Sequence, residues 1–86
     1  MAAYSLFFKA SVEKDLADIP KKDIGKILDR IKALANDPRP SGCEKLTGQD
    51  RYRLRQGRYR VVYGVQDEEQ AVTVVKVGHR RDIYRR

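Results

Sequence analysis

The residues able to do chemistry concentrate in the second half of the chain. Arg51, Arg53, Arg55, Arg58 and Arg60 recur at alternate positions on either side of Gln56-Gly57. A guanidinium keeps its charge at any ordinary pH and presents a planar fork of donors that matches phosphate. It does not give up a proton, so such a row can bind and neutralise a phosphate without supplying a general base. Two groups nearby in sequence can move a proton. His79 is the only histidine, with an unperturbed pKa of about 6.5. Tyr84 ordinarily titrates near 10 and acts as a base only where neighbouring cations lower that value. Taken alone, His79 reads equally well as a structural or exposed residue, and Tyr84 as an apolar anchor for the tail.

These groups must be positioned by a small set of elements. Tyr4 to Phe8 is a short apolar run that predicts a first strand. Ser11 is placed to cap a helix, with Glu13 and Asp15 in its favourable first turn and Val12, Leu16 and Ile19 at helical spacing. Pro20 closes that segment and suits the opening of the next. Ile24, Ile27, Leu28, Ile31, Leu34 and Ala35 form an i, i+3, i+4, i+7 stripe. Lys22, Lys26, Asp29, Arg30 and Lys32 fill its other side, and the segment from Asn36 to Gly42 stops the helix. The period then changes. Tyr52–Arg55, Arg58–Val65 and Ala71–Val77, punctuated by Gln56-Gly57 and Asp67-Glu68-Glu69-Gln70, predict a three-stranded antiparallel meander. The order β-α-α-β-β-β gives an α+β domain over residues 1–86. It has two layers, a two-helix hairpin packed on a mainly antiparallel four-stranded sheet.

A Gln56-Gly57 loop would pair Arg55 with Arg58, Leu54 with Tyr59 and Arg53 with Arg60. Alternation would then set Arg51, Arg53, Arg55, Arg58, Arg60 and Val62 on one face. Tyr52, Leu54, Tyr59, Val61 and Tyr63 would take the other, against the helices. Like charges directly opposite each other oppose pairing by about 0.2–1 kcal/mol. Lysine would serve solubility as well, so the choice of arginine points to an anion-binding surface; the plainer alternative is a solvated sheet face. The last strand, if it lies beside Arg58–Val65, would bring His79, Arg80, Arg81 and Tyr84 near that face.

Composition agrees with a basic partner-binding domain. The 86 residues carry a net charge of +7. Residues 9–39 hold eight basic and six acidic side chains (+2), and residues 44–64 hold six and two (+4). Residues 66–69 hold three acids (−3), and residues 76–86 hold five basic and one acidic side chain (+4). Two positive blocks fit a polyanionic partner, whether nucleic acid, an acidic membrane surface or an acidic protein. Cys43 is the only cysteine. It has no intrachain disulfide partner, and with one histidine it assembles no structural zinc site. No apolar run approaches the roughly 18 residues of a membrane span. The residues from Met1 to Lys9 lack a basic stretch before their apolar run, which argues against a secretory signal. A cytoplasmic location is expected.

The runs Tyr52-Arg53-Leu54-Arg55, Gly57-Arg58-Tyr59-Arg60-Val61-Val62-Tyr63 and Val77-Gly78-His79-Arg80-Arg81-Asp82-Ile83-Tyr84-Arg85 resemble those of RelE-type toxins of the RelE/ParE superfamily. The resemblance covers nearly the whole chain, including the Leu46-Thr47-Gly48 lead into the second strand. It implies the toxin of a type II toxin–antitoxin pair, partnered by a cognate acidic antitoxin. It also implies a metal-independent, cofactor-free endoribonuclease that cuts mRNA in the ribosomal A site. There the ribose 2′-OH attacks the adjacent phosphate, leaving a 2′,3′-cyclic phosphate and a 5′-OH. The family's catalytic positions fall at Arg53, Arg55, Arg60, Arg80 and Tyr84, the last at a shorter spacing from Arg80 than in the best-known bacterial member. That member has lysines where this chain has Arg53 and Arg55, so the base here falls to His79, to Tyr84, or to the substrate or ribosome. Arg60 and Arg80 would stabilise transition-state charge, and Lys45, Arg51, Arg58 and Arg81 would bind RNA. Two other readings stay open: a ParE-like protein-binding toxin that inhibits DNA gyrase, and a non-catalytic nucleic-acid-binding module.

Overall fold

A computed structural model describes residues 3–46, 48 and 50–79. The elements are β1 (Ser5–Phe8), α1 (Ala10–Ala17), α2 (Lys21–Ala33), β2 (Glu44–Lys45), β3 (Arg51–Gln56), β4 (Tyr59–Gln66) and β5 (Ala71–His79). They form two helices on a mixed five-stranded sheet of order β1-β5-β4-β3-β2. The expected class holds, with one strand more than expected. β2 is two charged residues long and pairs with Tyr52 and Arg53, so no apolar alternation announced it. β1 runs parallel to β5, Leu6 beside Val72 and Phe8 beside Val74. The helical hairpin carries the chain from β1 across the sheet to β2 at the other edge, and β3, β4 and β5 lead back to lie beside β1.

The helices bury their stripes as the spacing predicts. Val12 and Ile19 from the first segment and Ile27, Ile31 and Leu34 from α2 meet Leu54, Val61, Tyr63, Val72, Val74 and Val77 of the sheet in one core. Ser11 is not the α1 cap: Lys9 holds that place, without a side-chain cap bond. The Lys9 N–H donates to the Val74 carbonyl at 2.9 Å, so the chain turns into α1 directly from the β1–β5 ladder. Pro20 stands immediately before α2 as its N-cap.

The β3–β4 hairpin turns one residue later than expected. Gln56 pairs with Tyr59, Arg55 with Arg60, Leu54 with Val61 and Arg53 with Val62, so the two-residue loop is Gly57-Arg58. Gly57 has φ +60°, the conformation a type II′ turn demands of its first loop residue. Arg58 therefore leaves the ladder. The expected Arg53–Arg60 and Arg55–Arg58 oppositions give way to one, Arg55–Arg60. Because the pairing shifts by two residues, every side chain that stays in the ladder keeps its expected face.

A bulge in β5 has the larger consequence. Val62 pairs with Lys76 but Tyr63 with Val74, which leaves Val75 as the extra residue. It lets Val72, Val74 and Val77 all face the helices, which strict alternation forbids. Tyr63 is fully buried between these strands, and its hydroxyl donates to the Pro38 carbonyl at 2.8 Å. Burial, ahead of other causes, pushes its phenol well above the ordinary value. Tyr63→Phe should lower stability by about 1 kcal/mol, the net value of one such bond. Urea unfolding checks this as a lower midpoint at unchanged slope.

Candidate nucleic-acid interface

The sheet face turned away from the core carries Arg51, Arg53, Arg55 and Arg60, as strand alternation requires. Three of them converge. Arg53, Arg55 and Arg60 line a cleft of about 230 Å³ together with Arg30, Gly42 and Glu44. Arg60 is the deepest, 3% exposed, which corrects the expectation of a fully exposed arginine sheet. Arg53 is half-buried, and its Nη2 and Nε donate to Glu44 Oε1 at 2.6 and 3.2 Å. That carboxylate is placed by the two-residue β2, where Glu44 pairs with Arg53. The Arg53 hydrogen bonds hold the Glu44 carboxyl below its ordinary pKa, and Arg55 and Arg60 add to the effect. Glu44 is thus ionised at neutral pH and is the one carboxylate lining this cleft among the described residues.

The remaining expected site residues are distributed differently. Arg51 is exposed at the start of β3 on the arginine face, opposite Gly64. Lys45 pairs with Tyr52 and so lies on the core-side face. Arg58 is exposed in the hairpin turn. His79 pairs with Tyr59, and the two rings make an edge-to-face contact at 5.9 Å. Tyr59 belongs to the core-side face, so His79 does not join Arg53, Arg55 and Arg60. It lines a separate basic cleft of about 530 Å³ with Lys22, Asp23, Lys26, Arg58 and Tyr59. Arg80, Arg81 and Tyr84 lie outside the described residues.

Two cleft residues escaped sequence reasoning. Arg30 follows Ile27 by three and precedes Ile31 by one, at the border of the apolar stripe, a flank position that could have marked it as turned toward the sheet. Glu44 carries no sequence signal of its own; only its pairing with Arg53 reveals it.

Chemically, four guanidiniums around one carboxylate can grip a phosphate in bidentate fashion and neutralise charge that develops on it. The arginines cannot accept a proton. The ionised carboxylate can.

Known proteins match this chain closely. A family model described as the ParE toxin of type II toxin–antitoxin systems matches residues 6–84. Toxin RelG of Mycobacterium tuberculosis is 30% identical over 87 residues, covering 96% of this chain and 98% of its own. Putative toxin RelE1 of Methanocaldococcus jannaschii is 32% identical over 78 residues, covering 86% and 87%. Among solved structures, a chain of the intact E. coli RelBE toxin–antitoxin complex superposes with a TM-score of 0.76 at 31% identity, covering 90% of this chain and 96% of that one.

Proposed function

Since the chain belongs to the ParE/RelE toxin family of type II toxin–antitoxin systems, we propose that it is an endoribonuclease of the RelE kind, cleaving mRNA at the ribosomal A site. The observation that carries this reading is the cleft in which Arg53, Arg55 and Arg60 surround the ionised Glu44. A toxin that acts only by binding another protein has no need of fixed phosphate forks beside a proton acceptor.

In this mechanism the arginines hold the scissile phosphate. Glu44 takes the proton from the ribose 2′-OH, whose oxygen attacks the adjacent phosphorus. The bond to the 5′-oxygen of the next nucleotide breaks, leaving a 2′,3′-cyclic phosphate and, after protonation, a 5′-OH. Arg60, buried and fixed, faces the charge that grows on the phosphoryl oxygens. Arg80, by family position, joins it. His79 and Tyr84 remain the alternative proton-transfer groups, His79 from the neighbouring cleft. No step calls for a metal or cofactor.

The partner in the cell is a cognate antitoxin, as the E. coli RelE neighbour has in its RelBE complex. A net charge of +7 favours an acidic one by steering its approach. The protein acts in the cytoplasm, where translated mRNA is found, and among the described residues no helix is long and apolar enough to cross a membrane.

Primer extension on an mRNA under translation, with and without the protein, tests the reading. New 5′ ends should appear within the open reading frame and vanish when translation is blocked. Growth inhibition without any cut, accompanied by inhibited gyrase, would replace it with the ParE reading that the family description names.

A further inference from the structure

We propose that Arg30 is an RNA-phosphate-binding residue of the arginine cleft, reaching from the helical layer to a strand held mainly by the sheet. The inference rests on the RNA-cleaving reading of the same cleft. Arg30 stands on α2, which packs along β3 on the core side. The other guanidiniums of the cleft, Arg53, Arg55 and Arg60, stand on the far face of the sheet. The two sides meet at the β3 edge. β2 pairs only with Tyr52 and Arg53, so among the described residues β3 from Leu54 onward has no strand on that side, and the cleft opens there toward α2 and Gly42.

Folding alone does not account for the placement. The Arg30 Nε is buried, and no hydrogen-bond acceptor reaches it among the described residues. A buried donor left unsatisfied is a cost to the folded state, and a guanidinium set beside three others adds repulsion. Methionine or leucine would fill the position at the border of the stripe without either penalty. An anion in the cleft offsets the charge of the arginines, and a turn of the Arg30 side chain brings its buried Nε to a phosphate oxygen. Glu44 already serves Arg53. The volume of about 230 Å³ holds several waters at roughly 30 Å³ each, which leaves room for a phosphate and part of its ribose.

The test is salt-dependent binding of a short single-stranded RNA with 2′-O-methyl riboses, which cannot be cut, to the full chain. Each phosphate contact to a single strand contributes about 0.7 to the slope of log K against log salt. Arg30→Met should make that slope shallower by about 0.7 and leave the thermal midpoint unchanged or higher; Arg30→Gln gives the same reading if the methionine variant does not fold. Arg30→Lys should keep the slope but bind more weakly, having the charge without the fork. Lys32→Met, the same charge change at an exposed position of α2, should leave the slope as it is. An unchanged slope for Arg30→Met, or an equal loss for Lys32→Met, overturns the inference alone. So does an unchanged RNA slope with weakened binding of an acidic peptide, which would assign Arg30 to a protein partner. A wild-type chain that binds the RNA neither free nor in the A site of a programmed ribosome overturns the RNA reading of the cleft and this inference with it.

Discussion

Arg60→Met is expected to slow single-turnover RNA cleavage by about 10²–10³-fold, the usual loss when one fixed transition-state donor is removed. Growth inhibition should disappear with it. Arg60 is only 3% exposed, so its charge acts through a medium less screening than water and at a fixed position. Arg55, opposite it on β3, is exposed and screened by salt, so Arg55→Met should cost less. Methionine is the informative replacement because it keeps the long apolar stem that fills the site; alanine would add a cavity and blur chemistry with stability. Removing the charge also relieves the like-charge opposition to Arg55, so the thermal midpoint should change little. Cleavage at the wild-type rate by a folded Arg60→Met protein would take the transition-state role away from this residue.

The parts of this site that could be read in the sequence are those governed by a single period. The α2 stripe follows 3.6-residue spacing from Ile24 to Leu34, and the arginine face follows strict alternation from Arg51 to Arg55. What escaped reading depends on departures from a period. Gln56-Gly57 and Gly57-Arg58 are both two-residue loops containing glycine. Only the positive φ required at the first loop position places Gly57 there. The shift of two preserves the faces of the paired residues and costs the arginine face only Arg58, which moves into the turn. The Val75 bulge did the opposite. Counting alternately from Val72 sets His79 on the arginine face, whereas one extra residue sets it beside Tyr59 on the other. No feature of Ala71-Val72-Thr73-Val74-Val75-Lys76-Val77 announces the bulge except that its apolar residues do not fit one face. Glu44 belongs to a strand too short to have a pattern, and Arg30, read as part of the polar side of α2, stands at the border of the apolar stripe and lines the cleft instead.

That relocation decides which proton acceptor to test. Glu44→Gln should lower the chemical step by about 10²–10⁴-fold, the range for loss of a general base, while His79→Ala, altering a group in the neighbouring cleft, should leave it within a few-fold. The pH dependence separates the candidates more sharply. In the free protein Glu44 is held below its ordinary carboxyl value, first by its hydrogen bonds to Arg53. It is therefore the ionised, proton-accepting form throughout the neutral range. The acid limb of kcat/KM, which reports the free enzyme, should lie below the ordinary carboxyl range. A bound RNA phosphate competes with Glu44 for Arg53 and adds a negative charge beside it. Both effects disfavour the carboxylate and raise its pKa. The acid limb of kcat, which reports the complex, should thus lie at higher pH than that of kcat/KM. The same shift brings the carboxylate nearer the basicity that proton abstraction needs, so substrate binding itself prepares the base. Severe loss in His79→Ala with Glu44→Gln near wild type would move the proton to the neighbouring cleft. Severe loss in Tyr84→Phe alone would move it to the tail.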